Sequence, residues 1–177
     1  MKTNHLHFNT ILLGLLLFTV FSLSSCKKDE VNPDYVGTWA ATGSFNTGSV
    51  NLEMKDQFTL SKGSYSEIIL IKDPDTNKWL EYMAQKGTIS VTDSTINFTL
   101  LEVGISTIEP ITSKPTGIIT YYKKGQTQYD ILLSEFGFGE TVTSKYSISG
   151  GAITLKTDYN KDGDYDDENE YASYLKI

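Results

Sequence analysis

The chain has 177 residues, among them 22 acidic residues, 15 lysines, two histidines and one cysteine, and its formal net charge is −7. Because it has no arginine, planar bidentate recognition of phosphate is excluded, and the acidic balance disfavours nucleic acid as a partner. A single cysteine also excludes a disulfide within the chain.

Residues 1–25 have the pattern of a secretory signal peptide. Lys2 precedes an apolar run over residues 11–23, which is shorter than the roughly 20 residues of a transmembrane helix. The run ends in Leu23-Ser24-Ser25-Cys26, which resembles the lipobox of bacterial lipoproteins. That resemblance implies cleavage before Cys26 and attachment of lipid, including acyl chains such as palmitate, to this cysteine. An uncleaved anchor is the alternative interpretation.

Cleavage before Cys26 would change the chemistry of the chain. His5 and His7 lie in the leader and Cys26 would carry lipid, so the mature protein would have no free histidine or cysteine. Loss of Lys2 would make the net charge one unit more negative than −7. Ser-His-Asp and Cys-His catalysis and zinc or copper sites are thereby excluded. We expect a protein without catalytic residues, anchored to the membrane by its lipid.

A short polar tether follows, over residues 26–34. Within it, Lys27-Lys28-Asp29-Glu30 resembles the lysine-plus-acidic signature that exports lipoproteins of the Bacteroidetes type to the outer face of the outer membrane. The resemblance implies an outer-membrane protein that faces the outside of the cell. A solvated charged tether is the alternative. Since each residue spans at most about 3.6 Å, the folded domain would lie close to the membrane.

Residues 35–177 predict one all-β domain. Short stretches rich in Ile, Val, Thr, Tyr and Phe alternate with turns rich in Gly, Asn, Asp and Ser. No predicted strand pair is joined by a crossover helix, so the sheet should be antiparallel. Residues 104–116, with two prolines, are predicted as a long loop. The predicted strands are residues 36–44, 57–60, 65–72, 79–84, 88–92, 95–102, 117–123, 128–133, 141–149, 152–157 and 171–176.

Two predicted hairpins share one pattern. Residues 89–98 align without a gap to residues 146–155, and each segment alternates apolar and polar residues on both sides of a two-residue turn. Alternation places one face of each strand in the core and the other in solvent. The sequence therefore predicts a β-barrel or a β-sandwich.

Gly37-Thr38-Trp39 at the first strand, the repeated hairpins and a tyrosine-rich last strand resemble the lipocalin-like domains of Bacteroidetes lipoproteins. The resemblance implies an up-and-down antiparallel barrel of about eight to ten strands, closed at one end by Trp39. In lipocalins this tryptophan usually packs against an arginine from one of the last strands. This chain has no arginine, so that contact must be absent or altered. The resemblance also implies a cavity for a hydrophobic molecule, although such a barrel can instead be filled by its own side chains.

Residues 158–170 contain seven acidic residues, which is the most specific functional pattern in the sequence. Asp158, Asn160 and Asp162, followed by Gly163, have the spacing of a calcium-binding Asp-x-Asn-x-Asp-Gly loop. Because the flanks are predicted strands, we expect structural Ca²⁺ in a hairpin loop and not an EF-hand. A solvated acidic loop and a catalytic carboxylate pair are the alternatives. The candidate ligands are Asp158, Asn160, Asp162, Asp164, Asp166 and Glu170.

Asp93-Ser94-Thr95, at a predicted hairpin turn, resembles the short acceptor site of Bacteroidetes O-glycosylation. That resemblance implies a glycan on Ser94.

Three functions are consistent with these patterns. The first is an outer-membrane or cell-surface lipoprotein whose barrel binds a small apolar or amphipathic ligand, or a glycan, without catalysis. The second is a filled barrel that contacts another protein of the cell envelope, and the third is a hydrolase that uses carboxylates. A cavity lined by Ile, Phe and Tyr would favour the first and a packed interior the second. Two opposed carboxylates with a raised pKa would favour the third.

Overall fold

The computed structural model describes residues 33–46, 51–111, 114–159, 162–165, 167 and 170–177. Within these residues the chain forms β-strands and one helix. In chain order the elements are β1 (Gly37–Asn46), β2 (Asn51–Leu60), β3 (Ser64–Lys72), β4 (Trp79–Val91), β5 (Thr95–Ile108), β6 (Pro115–Lys123), α1 (Thr127–Phe136), β7 (Thr141–Ser149), β8 (Ala152–Thr157) and β9 (Tyr171–Lys176).

Eight of the strands close into an antiparallel barrel. Strands β1 to β5 form one meander, β7 to β9 form another, β5 pairs with β7, and β9 returns to pair with β1. Every pairing is antiparallel. The predicted all-β antiparallel barrel is confirmed.

Strand β6 lies beside this barrel as an extra strand. One edge of β5 serves two neighbours, because residues 95–99 pair with β7 whereas residues 102–108 pair with β6. The β5–β7 seam is therefore short. The chain between β6 and β7 passes alongside that seam, which places α1 and the residues after it next to the barrel interior.

The turn between β7 and β8 has the predicted form. Gly150 and Gly151 have φ angles of 60° and 79°, and they join the directly paired residues Ser149 and Ala152. Tight hairpin turns require such positive φ angles, which glycine adopts without steric cost. The predicted bounds of β7, β8 and β9 are confirmed.

The predicted strand over residues 128–133 is wrong, because this segment belongs to helix α1. Tyr129 and Leu132, one helical turn apart, are both buried, and the Tyr129 hydroxyl donates a hydrogen bond of 3.0 Å to the Leu100 carbonyl oxygen. Gly137 ends the helix with a left-handed φ of 69°. Packing of one face against the barrel thus overrides the β preference of Tyr and Ile.

The predicted long loop over residues 104–116 is also wrong in extent. Strand β5 continues to Ile108 and β6 already begins at Pro115, so only residues 109–114 connect them. A proline lacks the N–H that a ladder needs, but it is tolerated as the first residue of an edge strand. Similarly, the two predicted strands over residues 79–84 and 88–92 form the single strand β4.

One end of the barrel interior is filled by apolar side chains. Its centre is Trp39, of which 1% is exposed and whose Nε1 donates to the Tyr35 carbonyl oxygen at 2.9 Å. Inward-facing residues of four other strands pack in the same cluster: Leu60, Ile89, Ile96 and Ile153. Within the described part of the chain, no helix is both long and apolar enough to cross a bilayer.

Candidate functional site: the barrel cavity

A cavity of about 250 Å³ lies inside the barrel next to the apolar cluster, which shares Phe58, Tyr65 and Leu100 with the cavity lining. This volume is slightly below the range of about 300–1,000 Å³ that is typical of pockets for drug-sized ligands. The cavity therefore suits a small molecule. Its lining comes from β2 to β5, β7 to β9 and the segment after α1, so the closed barrel itself builds it.

Aromatic rings form much of the cavity wall. Phe58 and Tyr174 meet edge to face with ring centroids 4.6 Å apart, and Tyr65 and Phe98 do so at 5.2 Å. Phe138, which follows the glycine that ends α1, adds a further ring. These contacts hold the rings in fixed orientations, which leaves their faces and edges available to a ligand.

The acidic residue of the wall is Glu67, and the Asp56 carboxyl lies next to it on the neighbouring strand. In the β2–β3 ladder Phe58 lies opposite Glu67 and Asp56 lies opposite Ile69, so Asp56 and Glu67 share the inward face. Glu67 lines the cavity, and the Tyr174 hydroxyl donates a hydrogen bond of 2.9 Å to Oδ2 of Asp56. The two acids therefore lie side by side, and not on opposite walls.

Burial raises the pKa of Glu67 to about 8, and the neighbouring Asp56 carboxyl contributes to the rise. Burial also raises the pKa of Asp56, although the hydrogen bond from Tyr174 and the neighbouring Glu67 carboxyl oppose that rise. The pair consequently titrates as a unit and retains a proton at neutral pH. Oδ1 of Asp56 is buried and has no hydrogen-bond partner within the described residues.

A second polar group on the wall is neutral. The hydroxyl oxygens of Ser144 on β7 and Thr157 on β8 lie 2.7 Å apart in a buried hydrogen bond. Tyr159, just after β8, also lines the cavity, yet 67% of its surface is exposed. Tyr159 is therefore the exposed aromatic residue of the described lining.

The Trp39 motif takes an altered form. Lys176, on the last strand, places its Nζ 5.1 Å from the centroid of the Trp39 ring. A Cβ atom on Gly37 would lie 2.7 Å from Cε of Lys176, so glycine leaves room for the lysine stem. A lysine thus provides the cation that the lipocalin resemblance would assign to an arginine, through the attraction of a cation to an aromatic face.

The acidic loop is partly described. Oδ2 of Asp158 accepts a hydrogen bond of 3.0 Å from the Gly163 N–H, and Gly163 has a φ of 93°. Glu170 is 2% exposed, and its Oε1 accepts a bond of 3.0 Å from the Tyr159 N–H. Asp162 and Asp164, with Asp167, which was not predicted as a ligand, bring carboxylate oxygens within 4.8 Å of one another. Of the candidate ligands, Asn160 and Asp166 lie outside the described residues.

The remaining predicted sites lie apart from the cavity. Ser94 is exposed in the turn between β4 and β5, where its carbonyl oxygen accepts a bond of 3.0 Å from the Tyr146 N–H. Cys26 and the segment Lys27-Lys28-Asp29-Glu30 lie outside the described residues.

Sequence reasoning missed Asp56, Glu67 and Tyr174 as site residues. The signal that could have found the acids is an acidic side chain at an inward position of two neighbouring strands. Asp56 precedes the predicted start of its strand at residue 57, and Glu67 precedes a continuous apolar run, in which the inward face cannot be read from alternation.

Comparison with known proteins gives no family. The chain matches no protein-family model, and a search of curated proteins gives no match. The function of the chain is therefore inferred from the geometry of the cavity.

Proposed function

We propose that this chain is a lipid-anchored outer-membrane protein, facing the cell exterior, whose barrel binds a small amphipathic molecule without catalysis. The observation that carries the ligand-binding part of the proposal is the cavity of about 250 Å³, lined by aromatic rings and by Glu67. An aromatic wall with a few converging polar groups is the ordinary composition of a small-molecule site. A glycan ligand has less support, because sugars need many more hydrogen-bonding partners than this wall offers.

The cavity favours this function over the two alternatives. A filled barrel that serves only as a scaffold for contacts with an envelope protein would not leave this space beside Phe138 and Val142. Hydrolysis across a sugar uses two carboxyls that face each other across the substrate, separated by about 5–9.5 Å, whereas Asp56 and Glu67 lie side by side on neighbouring strands. We therefore propose binding and not hydrolysis.

Filling the cavity is expected to abolish ligand binding. Val142 lines the cavity from β7, so Val142→Trp should occupy the space that a ligand needs. Binding of the neutral probe 2-phenylethanol, followed by saturation-transfer NMR, should be seen with the wild type and lost in the variant. Ser147→Trp, on the exposed face of the same strand, is the matched control and should retain binding. Equal binding by both variants would contradict a ligand site in the barrel.

The membrane anchor is tested by Cys26→Ser. Without the thiol no diacylglycerol can be attached, and each lost methylene removes about 0.8 kcal/mol of membrane attachment. The variant is expected to remain unprocessed or to leave the membrane fraction, as measured by fractionation and by intact mass. Unchanged mass and membrane retention would show that Cys26 is not the anchor.

We also propose that the acidic loop holds a structural Ca²⁺. Its support is that Oδ1 of Asp158 and Oε2 of Glu170 are both buried and accept no hydrogen bond within the described residues. A cation would satisfy such oxygens, because Ca²⁺ takes six to eight oxygen ligands. A buried carboxylate oxygen without a partner is otherwise costly.

Calcium is then expected to raise the melting temperature in proportion to the logarithm of its concentration once the site is saturated. The double variant Asp158→Asn, Asp162→Asn should blunt this increase, whereas Glu53→Gln, on an exposed residue of β2, should not. Magnesium should substitute poorly because it demands near-ideal octahedral geometry. Melting curves that millimolar calcium leaves unchanged would exclude the ion.

A further inference from the structure

We infer that the ligand of the barrel carries a protonated amine, which lies against Glu67, the cavity-lining member of the carboxyl pair with Asp56, while its apolar body contacts the aromatic wall. This inference rests on the proposed ligand-binding function and names the chemical class of the ligand. Three features of the cavity carry it: the acidic Glu67 with Asp56 beside it, the lack of a basic side chain in the described lining, and the aromatic rings of that lining.

Glu67, with Asp56 beside it, is the acidic part of a cavity wall that has no basic side chain among the described residues. The cavity is lined by apolar, aromatic and neutral polar side chains besides Glu67. None of the ion pairs between described residues involves Asp56 or Glu67. Because a buried charge is costly unless it is paired, the site without ligand keeps a proton in place of a cation.

A ligand ammonium group matches what the carboxyl pair lacks. An ammonium has three N–H donors and no acceptor. Glu67 is the carboxyl that lines the cavity; next to it, Oδ1 of Asp56 is buried without a hydrogen-bond partner in the described residues, and Oδ2 accepts the bond from the Tyr174 hydroxyl. An ammonium can therefore supply the donors and the positive charge together, and charge-assisted hydrogen bonds are the stronger kind.

The aromatic wall adds to this preference for a cation. Phe58, Tyr65, Phe98 and Tyr174 line the same cavity as Glu67, and the face of an aromatic ring attracts positive charge. The same wall accepts the apolar body of a ligand. A carboxylate-bearing ligand, such as a fatty acid, would instead be repelled by the acids and would gain nothing from the ring faces.

A hard metal ion fits the site less well than an amine. Ca²⁺ requires six to eight oxygen ligands, and the carboxyl pair with Tyr174 falls short of that number even if both acids ionise. The described lining has no carboxylate besides Glu67 that could complete the coordination of a hard ion. An organic cation needs no such shell.

Three probes of similar shape test the inference by NMR titration: 2-phenylethylamine, 2-phenylethanol and 3-phenylpropionate. The amine is expected to bind about tenfold or more tightly than the alcohol, which is the factor that one hydrogen bond to a charged group supplies. The carboxylate probe should bind more weakly than either. In two variants, Glu67→Gln and Asp56→Asn, the preference for the amine should fall while alcohol binding persists, so that loss of folding is separated from loss of charge.

Surface binding is separated from cavity binding by two controls. The protein has a net charge of −7, so a cation could bind weakly to its exterior. Glu53→Gln removes one exterior acid and should leave the amine affinity unchanged, whereas Val142→Trp should abolish it. Amine binding that survives Val142→Trp would overturn the inference.

The pH dependence of binding gives an independent readout. The titratable groups that face Glu67 are Asp56 on β2, Tyr65 on β3, Tyr159 after β8 and Tyr174 on β9. Burial raises the pKa of each of these tyrosines, so their hydroxyls stay neutral. An ammonium should displace the proton of the carboxyl pair, so amine affinity should rise between pH 6 and about 8 and alcohol affinity should not. Equal amine and alcohol affinities would overturn the amine inference and leave ligand binding intact, whereas binding of neither probe would overturn both.

Discussion

The stability of the wild-type protein is expected to fall as the pH rises from 4.5 to about 8, and Glu67→Gln is expected to remove most of this dependence. The pKa of Glu67 is raised from 4.5 in an open chain to about 8 in the folded barrel, because burial and Asp56 both oppose its ionisation. Between these values the folded state binds a proton that the unfolded state has released. Stability therefore decreases with pH, by up to about 1.4 kcal/mol per pH unit.

The sign of this dependence follows from the direction of the shift. Below pH 4.5 both states hold the proton and the contribution is complete, and above about 8 the folded state must bury a second charge beside Asp56. Asp56, whose pKa is also raised, acts in the same direction. Glutamine has the size of glutamate, can donate to Asp56 and does not titrate, so the variant should be more stable than the wild type at pH 8.

Urea unfolding at closely spaced pH values measures this effect. Glu53→Gln is the matched control, because Glu53 lies on an exposed position of β2 and pairs with Lys72 at 2.9 Å. The control should follow the wild-type profile. Wild-type and Glu67→Gln profiles with the same slope would show that Glu67 is not the buried titrating group.

The second large effect is expected for Trp39→Ala, which should lower the free energy of unfolding by about 3–5 kcal/mol. Trp39 is 1% exposed at the centre of the apolar cluster, so its removal leaves a void that the rigid barrel cannot close. The Nε1 hydrogen bond to the Tyr35 carbonyl oxygen is lost as well.

Two further variants separate the contributions at this end of the barrel. Trp39→Phe keeps most of the buried area and should cost less than Trp39→Ala. Lys176→Met keeps an apolar stem over the ring but removes the cation, which at an exposed site contributes about 0.5–1 kcal/mol. Urea unfolding of all three variants tests this order. A loss from Lys176→Met as large as that from Trp39→Ala would contradict a cluster stabilised chiefly by burial.

The parts of the fold that the sequence predicts well are those determined locally. The hairpin from residue 141 to residue 157 turns at Gly150 and Gly151, which favour a two-residue turn independently of their surroundings. Helix α1 could not be predicted in this way, because its stability comes from burying Tyr129 and Leu132 on the barrel. Its local signals are limited to that three-residue spacing and to Gly137 as a C-cap.

The candidate site was less predictable than the fold, for a physical reason. The acids of residues 158–170 are conspicuous because they are consecutive in sequence, whereas Asp56, Glu67 and Tyr174 come together only when β2 lies between β3 and β1, and β1 pairs with β9. No spacing along the chain encodes that closure. The lysine over Trp39 likewise depends on the pairing of the first and last strands.

The measurement that tests ligand binding inside the barrel most directly is a methyl chemical-shift titration with 2-phenylethanol. Methyl groups of Ile69, Leu100, Val142 and Leu155 line the cavity, whereas Ile118, Ile131 and Leu175 have exposed side chains. We expect the cavity methyl resonances to shift in a saturable manner and the exposed ones to stay in place. Shifts confined to the exposed methyl groups, or none at all up to the solubility limit of the probe, would contradict a binding site in the barrel.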